Sequence, residues 1–176
     1  MLHTVSLFLI NMFTVKGLSM SDAQSDELDV LLNRLLSSFE EKMPFNKLLG
    51  LKILSLHLDE VKLRLDMRDD LIGNFVHGIL HGGVIASILD TAGGMIAIAN
   101  SFQRKEQLTE SERMMGIDKT STIDLRVDFL RPGRGLYFVA TSSVLRSGRK
   151  VAVTRMELHN DENILIAVGT GCYLVG

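Results

Sequence analysis

One stretch governs what this chain can fold into: VIASILDTAGGMIAIAN, Val84 to Asn100, in which Asp90 is the only charged residue. Its length and its alanines favour a helix over a strand. A helix that is apolar nearly all round has to be enclosed by the rest of the fold. The flanking sequence supplies the material. From Asp26 to Met43 the residues Leu28, Leu31, Leu32, Leu35, Leu36 and Phe39 recur at helical spacing, which predicts an amphipathic helix closed by Pro44. Val61, Leu63, Leu65 and Met67 alternate with Lys62, Arg64, Asp66 and Arg68, and a similar pattern in Leu51 to Leu58 lies across the Asp59-Glu60 turn, so two short antiparallel strands are expected. From Thr120 to Val175 four alternating runs are divided by turn signals at Arg131 to Gly135, Arg146 to Arg149 and Asn160 to Asn163, and these predict a meander. The charged, aperiodic SFQRKEQLTESERMMG between helix and meander is expected to be an exposed excursion of helix end and loop.

The order helix, two strands, apolar helix, four strands predicts an α+β domain in which an antiparallel sheet curls around the central apolar helix, the hotdog arrangement, with an extra N-terminal helix. Such a sheet covers one side of the helix. The other side and one sheet edge then need a partner, so at least a homodimer is expected, with pairing into tetramers left open.

A formal net charge of -2 on 176 residues, 46% of them hydrophobic, fits one soluble globular domain and provides no field that would hold a polyanion, so no nucleic-acid partner is expected. The lone cysteine, Cys172, lies in an apolar strand-like run and reads as a buried thiol of a reducing compartment, the cytoplasm. The segment before Met20 is apolar from Val5 to Val15 but has no preceding Lys or Arg, no A-x-A-like cleavage site, and is interrupted by Ser6, Asn11 and Thr14. It is too short to span a bilayer, and no stable membrane insertion is expected. Residues 1–19 are therefore expected to be a non-native extension, with translation starting at Met20 and one domain over 20–176.

On the apolar helix Gly83, Ser87, Asp90, Thr91 and Gly94 fall at intervals of three and four and form a narrow small or polar stripe. A carboxylate among apolar groups is costly to keep without partners or a task. The structural alternative is an acid hydrogen-bonded to a neighbouring loop. HGG, His81 to Gly83, stands where the helix begins, and the backbone N–H of Gly82 or Gly83 could polarise a carbonyl there. The bland alternative is a tight turn capped by His81. No metal site is expected, because His77 and His81 are separated by glycine-rich loop and have no evident third ligand. A serine hydrolase is disfavoured by the lack of a G-x-S-x-G elbow.

HGGVIASILDTAGG, His81 to Gly94, resembles the signature of the PaaI-like group of hotdog thioesterases, in which an acid follows the HGG histidine by nine positions, as Asp90 does. TSTIDLRVDFLRPGRG is similar to the family's strand ending in an aromatic-x-x-Pro unit, SVLRSGRKVAV to its next hairpin and NILIAVGTGCYLV to its closing strand. The resemblance covers roughly Phe45 to Val175 and is nearest the YigI-type branch, which acts on medium- and long-chain acyl-CoA. It implies hydrolysis of acyl-CoA thioesters to free fatty acid and coenzyme A, with Asp90 as general base or as nucleophile. It further implies an oxyanion N–H from Gly82, a loop-orienting role for His81 and a water-holding hydroxyl at Thr122. The family's upstream Asn is matched by Asn74, seven positions before His81 where many relatives have six, with His77 in the extra stretch as a substitute. The acid of one protomer is expected to meet the HGG loop of the other. Arg131, Arg134, Arg146, Arg149 and Lys150, in two turns, are expected to meet the phosphate-rich end of coenzyme A, with Gly83 beside them. Coenzyme A is part of the substrate and no separate cofactor is expected.

Hotdog dehydratases resemble a different constellation, in which a His and an acid act together. The non-enzyme alternative is an acyl-CoA-binding sensor on the same scaffold, which the presence of Asp90 argues against. Asp124 and Asp128 share a side of their strand with Thr122 by alternation, and beside Arg126 they read as a solvated or cross-strand-paired face rather than as catalytic acids.

Overall fold

The computed structural model describes residues 20–104 and 107–175; the expected non-native segment 1–19 lies outside them. The N-terminal helix α1, Met20–Ser37, continues as a π-helical turn, Ser38–Lys42, and buries Leu31, Leu35 and Phe39. Pro44 does more than end it. With its fixed φ it opens a second short helix, α2, Pro44–Leu49, which Gly50 closes in the left-handed region at φ 74°.

Strands β1, Leu51–Leu56, and β2, Val61–Asp66, form the expected hairpin. A small second sheet follows, β3, Ile72–Asn74, against β4, Ile79–Leu80, before the central helix α3, Gly82–Arg104. The helix α4, Glu110–Met115, precedes β5, Ser121–Phe129, β6, Tyr137–Ser147, β7, Val151–Asn160, and β8, Leu165–Leu174. The six-stranded antiparallel sheet runs β1-β2-β6-β7-β8-β5.

Two expectations need correction. Only β6, β7 and β8 form a meander, because β5 pairs with β8 at the sheet edge. The chain after β5 is held there: the N–H groups of Leu130 and Arg131 both donate to the Ile166 carbonyl, at 2.9 and 3.1 Å. It then crosses beneath β4, where the Leu80 N–H donates to the Gly133 carbonyl at 2.9 Å, and a side chain at Gly133 would collide with Leu80. The charged excursion is not wholly exposed either. Arg113 of α4 is buried, its guanidinium 3.8 Å from Glu27 of α1 and donating to the Leu108 carbonyl at 3.0 Å.

α3 packs on β6, β7 and β8 with Ile88, Leu89, Ala92, Met95 and Ile96 fully buried, and the Ser142 hydroxyl donates to the Ala92 carbonyl at 2.8 Å. It is long and apolar enough to cross a membrane, yet one side of it is buried against the sheet. Its first half stays exposed or partly exposed at Gly83, Ser87, Asp90, Thr91 and Gly94, the stripe read from the sequence, whereas Met95 to Ala99 are buried. The fold therefore leaves Asp90 at the border between a bare and a covered stretch of the same helix.

Candidate active site

Asp90 Oδ1 accepts two hydrogen bonds, from the Thr122 hydroxyl at 3.0 Å and from the Tyr173 phenol at 3.2 Å, and the phenol also lies 3.2 Å from the Asp90 backbone carbonyl. Both donors fall on one carboxylate oxygen. Among the described residues nothing donates to Oδ2.

The two donors meet because Thr122 and Tyr173 are cross-strand partners on β5 and β8, and partners on facing strands point to the same side of the sheet. This needs a bulge. Simple alternation would put Thr122 on the side of Asp124 and Asp128, but the register shifts between Thr122 and Asp124. The extra residue, Ile123, turns Thr122 to the helix side with Leu125 and Val127 and leaves Asp124, Arg126 and Asp128 facing away. Arg126 pairs with Asp128 at 3.1 Å on that outer face, where Asp124 and Arg126 are exposed.

Tyr173 was not legible as a site residue. It is 1% exposed, and burial, followed by the neighbouring Asp90 carboxylate, pushes its phenol far above the ordinary tyrosine range, so the group stays a hydrogen-bond donor at any working pH. Glycines make its room: a Cβ at Gly93 would run into the phenol oxygen, and one at Gly171 would lie 2.6 Å from it. The pattern of small residues around one aromatic in GTGCY was the available signal. Gly93→Ala is expected to destabilise the fold by about 1–3 kcal/mol by forcing the phenol away from Asp90, measurable as a fall in the urea midpoint.

Asp90, Thr122 and Tyr173 line a cavity of about 390 Å³ whose other walls include Phe39, Met43, Phe45, Ile98 and Ile117. A carboxylate thus opens onto a mostly apolar chamber of a size suited to a small-molecule chain.

The HGG loop lies elsewhere. Gly82 opens α3, and Asp90 follows eight residues later, about 12 Å along the axis, so one protomer cannot bring both to the same carbonyl. His81 Nδ1 accepts from the Gly83 N–H at 2.8 Å, and the His81 N–H donates to the Leu71 carbonyl at 2.9 Å, fixing the loop. Gly83 is thereby engaged as a cap. The Gly82 N–H has no acceptor among the described residues. Asn74 Oδ1 accepts from the Val76 and His77 N–H groups at 3.0 and 3.3 Å and shapes the β3–β4 tip, which leaves Phe75, 91% exposed, at its crest beside the exposed His77.

The basic turns are separated by the eleven-residue β6. Arg131 and Arg134 stand at the HGG end, donating to the Leu165 and His77 carbonyls at 2.8 and 3.2 Å. Arg146, Arg149 and Lys150 are exposed at the other end: Arg146 is the cross-strand partner of Val153, beside the Ala152–Tyr173 pair, and Arg149 and Lys150 lie three and two residues before Ala152, hence near the Asp90 level.

A sheet wrapped around a central helix, with a carboxylate on that helix facing an apolar chamber and an HGG loop at its start, defines a thioesterase-type hotdog protein. Residues 77–167 match the thioesterase superfamily, and the chain belongs to it. It is 46% identical over 138 residues, 78% of this chain and 89% of the relative, to the medium/long-chain acyl-CoA thioesterase YigI of Escherichia coli K12. A solved Shewanella oneidensis protein related to the thioesterase superfamily superposes with a TM-score of 0.82 at 44% identity, covering 85% of this chain and 97% of that one. The E. coli PaaI protein, at 20% identity and a TM-score of 0.68 over 85% of this chain and 96% of its own, shares the fold.

Proposed function

We propose that this protein hydrolyses medium- to long-chain acyl-CoA in the cytoplasm as a homodimer, with each site shared between protomers. The observation that carries the reading is the Asp90 carboxylate, held through Oδ1 by Thr122 and Tyr173 with Oδ2 beside an apolar chamber. The relative at 46% identity is named for the same activity.

Gly82 of the partner subunit donates its N–H to the thioester carbonyl and stabilises the oxyanion. In the general-base route Asp90 takes a proton from water, the hydroxide adds to the carbonyl carbon, and collapse breaks the C–S bond. The proton then passes to sulfur, giving fatty acid and the coenzyme A thiol. In the nucleophilic route Oδ2 adds to the carbonyl and expels the thiolate, and water then cleaves the mixed anhydride. Neither route calls on a separate cofactor. Thr122 and Tyr173 hold the carboxylate's rotamer in both. His81 orients the loop, and the amide nitrogen of Asn74, whose oxygen is taken by its own turn, is available towards the incoming substrate.

Dimerisation is supported by the 12 Å separation along α3, by the open β5 edge and by the exposed Phe75, Val76 and Phe129 near the HGG loop. A shared site also reconciles the two basic turns: Arg131 and Arg134 of the subunit supplying the HGG loop, together with Gly83, and Arg146, Arg149 and Lys150 of the subunit supplying Asp90, flank the coenzyme A phosphates from opposite sides.

The test is release of coenzyme A thiol from saturated acyl-CoAs of increasing length. Turnover peaking at medium to long chains is expected; tight binding without turnover at any length would make the protein a sensor. In the same assay Thr122→Ala and Tyr173→Phe are each expected to lower kcat about tenfold with a smaller change in KM, since each removes one of two donors that position the base.

A further inference from the structure

The residues matched to the superfamily, 77–167, include Asp90 and Thr122 but none of the N-terminal wall of the chamber. That wall is Phe39 of the π-helical turn with Met43, Pro44 and Phe45 at the start of α2. We propose that this segment is the chain-length gauge: the acyl chain runs from Asp90 along α3 to Ile98, beneath Met43 and Phe45 of the same protomer that supplies the carboxylate. The proposal rests on the thioesterase reading above.

Asp90, Gly94 and Ile98 all line the chamber, and at i, i+4 and i+8 they lie along one side of α3. The chamber is therefore a groove that starts at the carboxylate and follows the helix for about 12 Å, the scale of a medium-length acyl chain. Gly94 in the middle puts no side chain in the way. The far end is built from packed residues, Phe39 and Ile98, 6% and 5% exposed. The roof is looser: Met43 and Phe45 are 36% and 54% exposed and anchored to the fold by their neighbour Asn46, whose side-chain amide donates to the Phe39 carbonyl at 3.3 Å. A firm end beneath this roof favours chains long enough to lie under Met43 and Phe45 and reach the end.

The experiment is the profile of kcat/KM against acyl-chain length for the full-length wild type, Phe45→Ala and Ile98→Phe. Phe45→Ala removes an exposed side chain and is expected to fold; it should lower the ratio of long- to short-chain kcat/KM about tenfold, the worth of an apolar contact along the chain. Ile98→Phe fills the far end and should move the optimum to shorter chains. If it does not fold, Phe45→Ala decides alone. A wild type that turns over acyl-CoA while Phe45→Ala keeps the same profile, or loses activity equally at every length, overturns the gauge and leaves the thioesterase reading standing. A wild type with no turnover removes both.

Discussion

Asp90→Asn is expected to lower kcat for acyl-CoA hydrolysis about a thousandfold or more, the upper part of the range for losing a general base, while fold and acyl-CoA binding are retained. The geometry makes Asn an informative replacement. Its amide oxygen can occupy the Oδ1 position and keep the bonds from Thr122 and Tyr173, so the second polar atom changes from a proton acceptor to an NH₂ donor at the same place. Neither the general-base nor the nucleophilic route survives that change. Calorimetric titration with a medium-chain acyl-CoA should return an affinity within a few-fold of the wild type. Loss of binding together with turnover would assign Asp90 to holding the chamber in shape instead of to chemistry.

Gly82→Pro is expected to lower kcat about a hundredfold or more, because it removes the N–H assigned to the oxyanion. Proline suits this position: Gly82 is the first residue of α3, where φ is already helical, and a Cβ there meets the Phe129 ring at 3.4 Å, an ordinary contact. Asp90 stays intact in this variant, so the two defects lie in different halves of the proposed shared site. Equal amounts of Asp90→Asn and Gly82→Pro, unfolded and refolded together, should recover about a quarter of wild-type activity, since half of randomly formed dimers are mixed and each has one intact site. Recovery of none would place the oxyanion donor and the carboxylate in one chain, which the 12 Å along α3 opposes.

Much of this is legible in the sequence. The apolar run around Asp90 required enclosure whatever its neighbours, and the period-two patterns of β2 and β7 belong to strands with one buried face, so periodicity and burial carried the same information. The HGG-to-Asp90 spacing was visible because both features sit on one continuous helix. What escaped depends on register and tertiary contact. The bulge at Ile123 inverts the alternation that placed Thr122 beside Asp124, and nothing local in STIDLRVDF marks it. Tyr173 reaches Asp90 across 83 positions, through space made by Gly93 and Gly171. β5 reads like the other strands, yet its pairing is decided by the crossing of residues 130–136 beneath β4. Pro44 read as a stop because proline ends one helix as readily as it begins the next.

The central claim, that the Asp90 carboxylate carries out thioester hydrolysis in this chamber, is tested most directly by a single-turnover experiment. Wild type and Asp90→Asn, in excess over a medium-chain acyl-CoA at neutral pH, are mixed with a thiol reagent, and free coenzyme A is followed in time. The account predicts that the wild type releases all of the bound substrate's coenzyme A within seconds, and that the variant, although it binds the acyl-CoA, releases none on that timescale. Release by Asp90→Asn at the wild-type rate would contradict it.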